Sequence, residues 1–193
     1  MDSILKENIK KHIDLSEDEF KLFRSYFTKK KILKKEYLLR EGDICKYEGF
    51  ILNGCFRVFS LDKNANENTL HFGIKDWWLS DIDSFTNQIP SQLFIQALED
   101  SEVLLISWNN KMKAYQELPK IERLFRVMTQ KYLVANQRRI LQKQSLNSEE
   151  RYNYFLSHYP EIAKKLTNIQ LASYLGISHE FVSKIRSRIS TKK

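Results

Sequence analysis

The chain has 193 residues, of which 42% are hydrophobic, and its net charge at pH 7 is +8. This length suits one or two domains with a real core, and the lack of 18 consecutive apolar residues or of an early apolar run argues against a membrane span and a signal peptide. Two cysteines are too few for a disulfide framework or a four-thiolate metal site, so we expect a cytoplasmic protein whose thiols stay reduced.

The charge is divided unevenly along the chain. Residues 1–110 contain 15 Lys and Arg against 18 Asp and Glu, whereas residues 111–193 contain 17 against 6. A near-neutral first part followed by a strongly basic second part indicates two modules, the second facing a polyanion. A solvated basic surface is the alternative.

The first predicted element is an amphipathic helix over residues 16–28. Ser16 and Glu19 have the spacing of a capping box, in which each side chain bonds the backbone of the other. Phenylalanine recurs at helical intervals after them, so we expect one face of this helix to pack on the elements that follow.

A series of short strands is predicted over residues 32–108, where segments rich in Ile, Val, Leu and Phe alternate with turn residues. This pattern is typical of an antiparallel sandwich or roll. The Asn-rich stretch 62–68 is expected to join strands over 56–61 and 69–74 as a hairpin, and Asn53-Gly54 is a second turn signal between apolar segments.

A long helix is predicted to begin near Pro119, because the residues up to 144 contain no Gly and no further Pro. Such a helix would be ~37 Å long. Its apolar residues form a stripe and extend around one side, which is more apolar surface than a small roll covers. We therefore predict packing against a second copy with twofold symmetry, packing within one chain being the alternative. The stripe consists of Ile121, Leu124, Phe125, Met128, Tyr132 and Ala135, and its extension of Leu133, Ile140 and Leu141.

The last part of the chain predicts a set of short helices. Asn147 and Thr167 each begin a capping box, and Pro160 ends the helix that follows Asn147. Gly176 then separates the helix after Thr167 from a last helix whose N-cap is Ser178. Two short helices joined by a tight turn with glycine form a helix-turn-helix unit, which needs small and apolar residues where the helices meet. The sequence supplies them at Leu171, Ala172, Leu175, Ile177, Val182 and Ile185.

With those positions turned inward, the second helix of the unit presents a polar face suited to duplex DNA. Glu180 can accept from a cytosine amine, while His179 and Lys184 can donate to guanine in the major groove. Hydroxyls and exposed amides at both helix starts suit phosphates, and the basic residues near the end, Lys192 and Lys193 included, add attraction that does not depend on sequence. A helical hairpin with a solvated face is the alternative. The predicted DNA-binding residues are Thr167, Asn168, Ser178, His179, Glu180, Ser183, Lys184, Arg186 and Arg188.

Five segments follow one another in the order of a known family: LLREGD (38–43), FILNGCFRVF (50–59), DWWLSDIDSF (76–85), IQALEDSEVLLI (95–106) and LASYLGISHEFVSKIR (171–186). Through them nearly the whole chain resembles the family of the cyclic-AMP receptor protein and the fumarate–nitrate regulator, the Crp/Fnr family, especially its short members from Bacteroidetes.

The resemblance implies an α+β fold in three parts. Residues 1–117 would be a sensor of the cyclic-nucleotide-binding type, with N-terminal helices and an antiparallel β-roll of the double-stranded β-helix or jelly-roll kind. Residues 118–145 would be a long dimerisation helix, and residues 146–193 a helix-turn-helix domain. The resemblance also implies a homodimeric transcription regulator that binds double-stranded DNA at an inverted-repeat operator, with RNA polymerase as a further partner.

The last helix departs from the family pattern. Relatives usually read Arg-Glu-x-x-x-Arg in the recognition helix, whereas this chain has His179, Glu180 and Lys184 at the corresponding positions. The glutamate is kept and both arginines are replaced, so the resemblance implies DNA binding and leaves the preferred site open. In the prototypes a β-hairpin follows this helix; here the sequence ends at STKK, as in many short members.

The sensor departs from the pattern of members that bind cyclic nucleotides. Those members carry Phe-Gly-Glu for the ribose and Arg-Ser/Thr-Ala for the cyclic phosphate. This chain has Ser80 and Asp81 in the first place, and Ser91 and Gln92 in the second, and we take these four as the candidate effector pocket. A phosphodiester buried without a cation is costly. We therefore expect no cAMP and no cofactor or metal, and leave the effector unknown.

Further residues bear on this pocket. Arg57 or Lys75 could supply the missing cation. Aromatic residues could line an apolar cavity, although in a roll they more often belong to the core. These aromatic residues are Trp77, Trp78, Phe85 and Phe94.

No enzymatic site is expected. His12, His71, His158 and His179 are scattered without ligand spacing, and no glycine-rich phosphate loop, nucleophile elbow or carboxylate pair appears. The rival to a DNA-binding regulator is a ligand-sensing or protein-interaction module that no longer reads DNA.

Overall fold

The computed structural model describes residues 2–190, in which an antiparallel roll is followed by a long helix and a group of shorter helices. The predicted α+β class and the roll are confirmed. Lys192 and Lys193, which are expected to attract DNA, lie outside the described residues. Within those residues, no helix is both long enough and apolar enough to cross a bilayer.

Two helices, α1 (Asp2–Lys10) and α2 (Glu17–Ser25), precede the roll and pack on it. The helix predicted over residues 16–28 is too long. Ser16 caps α2 as expected, but the helix ends at Ser25 because Phe27 begins a strand whose backbone pairs with the last strand of the roll.

The roll consists of two four-stranded antiparallel sheets, and buried side chains of both sheets form the core between them. The strands are β1 (Phe27–Ile32), β2 (Tyr37–Leu39), β3 (Tyr47–Asn53), β4 (Cys55–Leu61), β5 (Glu67–Ile74), β6 (Trp78–Leu79), β7 (Phe94–Ala97) and β8 (Ser101–Ser107). Their orders are β1-β8-β3-β6 and β2-β7-β4-β5. A short helix, α3 (Ile82–Asn87), lies between β6 and β7.

The predicted hairpin is confirmed. β4 and β5 pair along their lengths, with a bulge at Leu70. Asp62 closes the turn, because its carboxylate accepts from the amides of Asn64 and Asn66 at 2.8 and 2.9 Å.

The Asn53-Gly54 turn is a corner between the sheets, since β3 belongs to one sheet and β4 to the other. Gly54 has a φ of +109°, a conformation that residues with a Cβ rarely adopt. An added Cβ would also overlap the side chain of Ser101 and lie 2.8 Å from Ser101 Cα. The corner therefore requires glycine for its backbone conformation and for its close approach to β8.

The helices after the roll are α4 (Trp108–Glu117), α5 (Lys120–Ser145), α6 (Ser148–His158), α7 (Pro160–Ala163), α8 (Asn168–Leu175) and α9 (His179–Ser190). The long helix α5 has 26 residues and follows Pro119 directly, as predicted. Pro160 ends the preceding helix and also opens α7, where its missing amide hydrogen costs nothing.

The apolar residues of α5 face two different ways. Ile121, Leu124 and Phe125, which begin the predicted stripe, are buried against α1, α2 and the first sheet, so this part belongs to the core of the same chain. The residues on the other side of the helix are 43–61% exposed, and these are Leu133, Val134, Ile140 and Leu141. The exposed apolar surface of α5 is thus mainly the extension of the predicted stripe, with Val134 beside it.

Both cysteines are buried free thiols, and Cys45 belongs to the core between the sheets. Burial raises the pKa of the Cys55 thiol to about 12 and also raises the pKa of Cys45. Both thiols stay protonated at neutral pH and act as small apolar side chains.

Gly54→Ala should destabilise the protein more than Gly42→Ala. Gly42 also has a positive φ, +86°, but a Cβ there would meet no atom within 4 Å. The left-handed backbone alone costs a residue with a Cβ about 1–2 kcal/mol, and the overlap at Gly54 adds roughly 1–3 kcal/mol. Urea denaturation followed by circular dichroism measures both free energies of unfolding. Equal losses for the two variants would contradict the steric role of Ser101.

Candidate nucleic-acid interface and sensor pocket

The predicted helix-turn-helix is present as α8 and α9. Thr167 caps α8, since its hydroxyl accepts from the Gln170 amide at 3.2 Å while the Gln170 side chain accepts from the Thr167 amide at 3.0 Å. Gly176 ends α8 with a φ of +67°. The hydroxyl of Ser178 accepts from the Phe181 amide at 3.2 Å and so caps α9.

The inward positions of the unit pack as the sequence predicts. Leu171 and Val182 have no exposed surface, and Ile185 has almost none. Ala172 is buried where the helices approach each other, and Ile177 is half-buried. This packing holds α9 against α8, so the two helices form a single rigid surface.

The opposite face of α9 is exposed and polar. Its exposed residues are Ser178, His179, Glu180, Ser183, Lys184, Ser187 and Arg188. His179 Nε2 lies 3.0 Å from Glu180 Oε1. The backbone amide of Glu180 and the Ser178 hydroxyl lower the pKa of the Glu180 carboxyl, which is therefore an ionised acceptor at neutral pH.

Asn168 and Arg186 lie between the helices rather than on the outer face. Asn168 Nδ2 donates to Ser183 Oγ at 2.9 Å, and the half-buried Arg186 guanidinium donates to Asn168 Oδ1. Arg186 Nε also lies 3.4 Å from the Tyr152 hydroxyl of α6. These bonds fix the start of α8 to the middle of α9, a structural role that the sequence analysis missed.

The helix-turn-helix packs directly on the roll. Ser173 of α8 donates to the Glu67 carbonyl at 2.6 Å and accepts from the Thr69 amide at 2.9 Å. Arg139 of α5 donates to the carbonyls of Thr69 at 2.9 Å and Tyr174 at 3.2 Å. The sequence analysis missed this contact, because it joins residues far apart in the chain and no local pattern marks it.

In the sensor, the structure brings together Asp81 and Ser91. The Asp81 side chain is the N-cap of α3, accepting from the amides of Asp83 at 3.2 Å and Ser84 at 3.4 Å. Ser91 Oγ donates to the other carboxylate oxygen of Asp81 at 2.6 Å. The start of α3, which could otherwise bind an anionic ligand, therefore holds an anion of the chain itself.

The other two residues of the candidate effector pocket are less enclosed. Ser80 is half-buried and Gln92 is exposed, whereas Asp81 and Ser91 are buried. The structure thus places one buried pair, not four residues, at the centre of this predicted pocket.

Arg57 does not supply a cation to Asp81. Its guanidinium bonds both carboxylate oxygens of Glu67 and donates to Gln96 Oε1 at 2.9 Å. It also lies 4.1 Å from the ring centre of Phe59, on the face of β4 that points away from the core of the roll. Lys75, the other candidate, is exposed.

Of the four aromatic residues predicted as a possible lining, Trp77 and Trp78 share a cavity, whereas Phe85 and Phe94 do not line it. Phe85 is part of the core between the sheets, and Phe94 stacks on Phe59 with ring centres 5.0 Å apart. Trp78 packs against the core formed with α1 and α5, and its indole donates to Asn8 at 3.0 Å. Trp77 is partly exposed beside Tyr159, the residue that follows α6.

The histidines have separate surroundings. His12 lies 3.3 Å from Lys131, and the His158 ring stacks on Tyr154. Across residues 2–190, no three His, Cys, Asp or Glu side chains gather in a way that could hold a metal ion.

The chain is similar to known regulators. Residues 29–117 match the family of the cyclic nucleotide-binding domain. The anaerobic regulatory protein of Bacillus subtilis (strain 168) is 33% identical over 104 residues, which cover 54% of this chain and 42% of that protein. Electron transport regulator A of Shewanella oneidensis is 26% identical over 174 residues, covering 83% of this chain and 68% of that protein. The match to the Bacillus subtilis protein spans less than half of that protein's length.

A solved structure shares the fold. FixK2 from Bradyrhizobium japonicum superposes with a TM-score of 0.76 at 20% sequence identity, covering 86% of this chain and 85% of that one. At this identity the likeness concerns the fold alone.

Asp81→Ala should destabilise the sensor much more than Asp83→Ala. Asp83 lies two residues after Asp81, is exposed, and accepts from the Asn87 side chain at 2.6 Å. Loss of the cap at Asp81 costs about 0.5–2 kcal/mol. Loss of the hydrogen bond from Ser91, whose hydroxyl keeps the Leu93 carbonyl at 3.2 Å as an acceptor, adds roughly 0.5–1.5 kcal/mol. Urea denaturation measures the free energy of unfolding of both variants. A loss at Asp81 no larger than that at Asp83 would refute the capping role.

Proposed function

We propose that this relative of the Crp/Fnr regulators, whose residues 29–117 match the cyclic nucleotide-binding domain, is a sequence-specific DNA-binding transcription regulator. The observation that carries the proposal is the complete α8–α9 unit, with a polar and exposed face on α9. This unit lies in the strongly basic part of the chain, which is what a protein that binds a polyanion requires.

The start of α9 would read base edges in the major groove. Glu180 is exposed and ionised, so its carboxylate can accept from a cytosine amine. His179 and Lys184 lie beside it and can donate to guanine. The pairing of His179 with Glu180 would be exchanged for contacts with bases on binding.

The remaining predicted DNA-binding residues would contact phosphates or support those that do. Thr167 and Ser178 stand at the starts of α8 and α9, where hydroxyls and backbone amides favour anions. Arg188 is exposed and would add charge. Asn168 and Arg186, bonded to each other, would hold Ser183 and the reading face in place.

We further propose a homodimer joined through α5. Its exposed apolar residues from Leu133 to Leu141 lie at helical spacing and face away from the same chain's core. Burying this surface against the α5 of a second copy is favourable and generates twofold symmetry. Two α9 helices could then enter successive major grooves of an inverted repeat, ~34 Å apart.

The sensor would respond to something other than cAMP. The Asp81 carboxylate occupies the start of α3, and Arg57 is engaged by Glu67, so a cyclic phosphate would meet an anion without a compensating cation. The division into a sensor (1–117), a dimerisation helix (118–145) and a DNA-binding domain (146–193) is part of the same proposal. The effector and the operator stay open.

The rival function is a ligand-sensing or protein-interaction module without DNA binding. The two replaced arginines of the recognition helix favour it. A salt titration of binding to duplex DNA separates the two functions, because a protein that contacts phosphates loses affinity steeply as salt rises. Selection from randomised duplexes by the purified protein tests the proposal directly. Enrichment of an inverted repeat is expected, and failure of any sequence to be enriched would favour the rival.

Glu180→Ala should relax base preference at one position of each half-site. Loss of the Glu180 carboxylate, which accepts from the base, is expected to reduce the difference in binding free energy between the preferred base and the others at that position by about 1–3 kcal/mol. The measurement is the same selection from randomised duplexes, carried out with both proteins. Glu149→Ala, which removes an exposed glutamate at the start of α6, is the control and should leave preference unchanged. Wild-type discrimination by the Glu180 variant would show that this residue does not read a base.

Leu141→Glu should dissociate the dimer. Leu141 is 61% exposed in the single chain, and a carboxylate buried there in a dimer would lose its hydration. Sedimentation equilibrium should give twice the chain mass of 23.1 kDa for the wild type and the chain mass for the variant. Leu33→Glu, at a 59% exposed position on the roll, should remain dimeric. A dimeric Leu141 variant would place the interface elsewhere.

A further inference from the structure

A cavity of about 300 Å³ lies at the junction of the roll, α5 and α6. Its walls come from β5 and the segment around Trp77 in the sensor, from one face of α5, and from α6 near Tyr154. It is separate from the buried pair of Asp81 and Ser91, neither of which lines it. Its volume is at the lower end of the range for small-molecule sites, which suits a ligand with one or two rings.

Two residues of the cavity wall each carry a buried nitrogen atom that lacks a partner. His71 Nδ1 and Arg151 Nε are both shielded from solvent, and neither has a hydrogen-bond partner among residues 2–190. Leaving a buried polar atom unsatisfied costs about 1–3 kcal/mol. Such atoms are rare in folded proteins, so two on the wall of one cavity point to a ligand that would bond them.

The chemical state of these nitrogens defines what they can bond. Burial, with a smaller contribution from nearby Arg139, lowers the pKa of His71 to about 4, so its imidazole is neutral at pH 7. The Arg151 guanidinium already donates to the Leu146 carbonyl through Nη1 at 2.7 Å, and its Nε–H is the donor that lacks a partner.

The charge around the cavity has one sign. The lining contains no Asp or Glu, whereas its cations are Arg138, Arg139, Lys143 and Arg151. An excess of cations with no carboxylate favours an anionic ligand, and a charged hydrogen bond from a guanidinium is among the stronger contacts in proteins.

The rest of the lining is largely aromatic. Flat side chains stack on flat ligands, either offset or edge to face. The aromatic residues in the wall are Phe72, Trp77, Trp78, Tyr132, Tyr154, Phe155, Tyr159 and Tyr174.

We propose that this junction cavity binds a small planar aromatic compound that carries one anionic group. The anion pairs with the guanidinium of Arg151, the rings lie among the aromatic side chains, and the neutral His71 lies in the same wall. Because the walls belong to both the sensor and α6, the ligand would join the two parts directly. This proposal does not depend on the proposed DNA binding, because its test measures only the affinity of the protein for the ligand.

Isothermal titration calorimetry on the full chain tests the proposal with named probes. 2-Naphthoate and 2-naphthyl phosphate supply the two kinds of anion, and 2-naphthalenemethanol is a neutral compound of similar shape. We expect at least one anion to bind about tenfold or more tightly than the alcohol. Which anion binds better distinguishes a carboxylate from a phosphate ligand. Equal affinity for the alcohol, or no heat with either anion up to millimolar concentration, would overturn the proposal.

Variants locate the binding. Arg151→Gln should weaken the anion about tenfold or more by removing the charged donor. Ala135→Trp fills the cavity from α5 without removing any of its polar groups, so it should abolish binding even if the Arg151 variant folds poorly. Arg126→Gln is the control, an exposed arginine of α5 outside the cavity, and should bind as the wild type does. Unchanged binding by the Ala135 variant would place the probe elsewhere and overturn the site.

Discussion

Arg139 determines how the helix-turn-helix is held against the roll. Its guanidinium is largely buried, and burial lowers its pKa, so the group is stabilised only if its donors find acceptors. One acceptor is the Thr69 carbonyl of β5 and the other is the Tyr174 carbonyl of α8. Separating α8 from the roll would leave this guanidinium without the Tyr174 carbonyl. Since α9 is locked to α8 by buried side chains, the direction of its reading face follows from this contact together with the two hydrogen bonds that Ser173 makes to β5.

Because α5 has two different faces, it could pack on the sensor of its own chain with one face and on a second copy with the other. The apolar side chains of its first turns are buried in the core around Phe125, and this packing fixes the helix to its own roll. Its later turns hold Arg139 on one side and exposed leucines on the other. A second copy packed on the leucines would therefore share a rigid element with both the roll and the helix-turn-helix. The spacing of two α9 helices would then depend on how each α5 leaves its roll.

Local sequence signals predicted the parts whose structure is decided locally. The capping boxes at Ser16, Asn147 and Thr167 and the turn at Gly176 appear as expected, because a cap or a positive φ is specified by a few neighbouring residues. The end of α2 was not predictable from helical spacing, because pairing of β1 with β8, far along the chain, overrides it at Phe27.

The same distinction applies to the candidate sites. The exposed face of α9 follows from its helical period, so the sequence was sufficient to place Glu180 and Lys184 on it. Asp81 and Ser91 were grouped only through the family resemblance, and the docking through Ser173 and the junction cavity also join distant segments. A single sequence contains no signal for such contacts, which arise only when the sheets and helices pack.

The distribution of charge within the fold separates two kinds of pocket. In the roll, the start of α3 is already occupied by Asp81, whose carboxylate is satisfied by two amides and a hydroxyl. At the junction the balance is reversed, with cations, two unpartnered nitrogens and no carboxylate in the lining. A ligand shifts an equilibrium only by its difference in affinity between two arrangements. Because the junction has walls on both sides of the contact made by Arg139, an anion bound there would favour the docked helix-turn-helix, whereas a ligand enclosed wholly by the roll would have to act through α5.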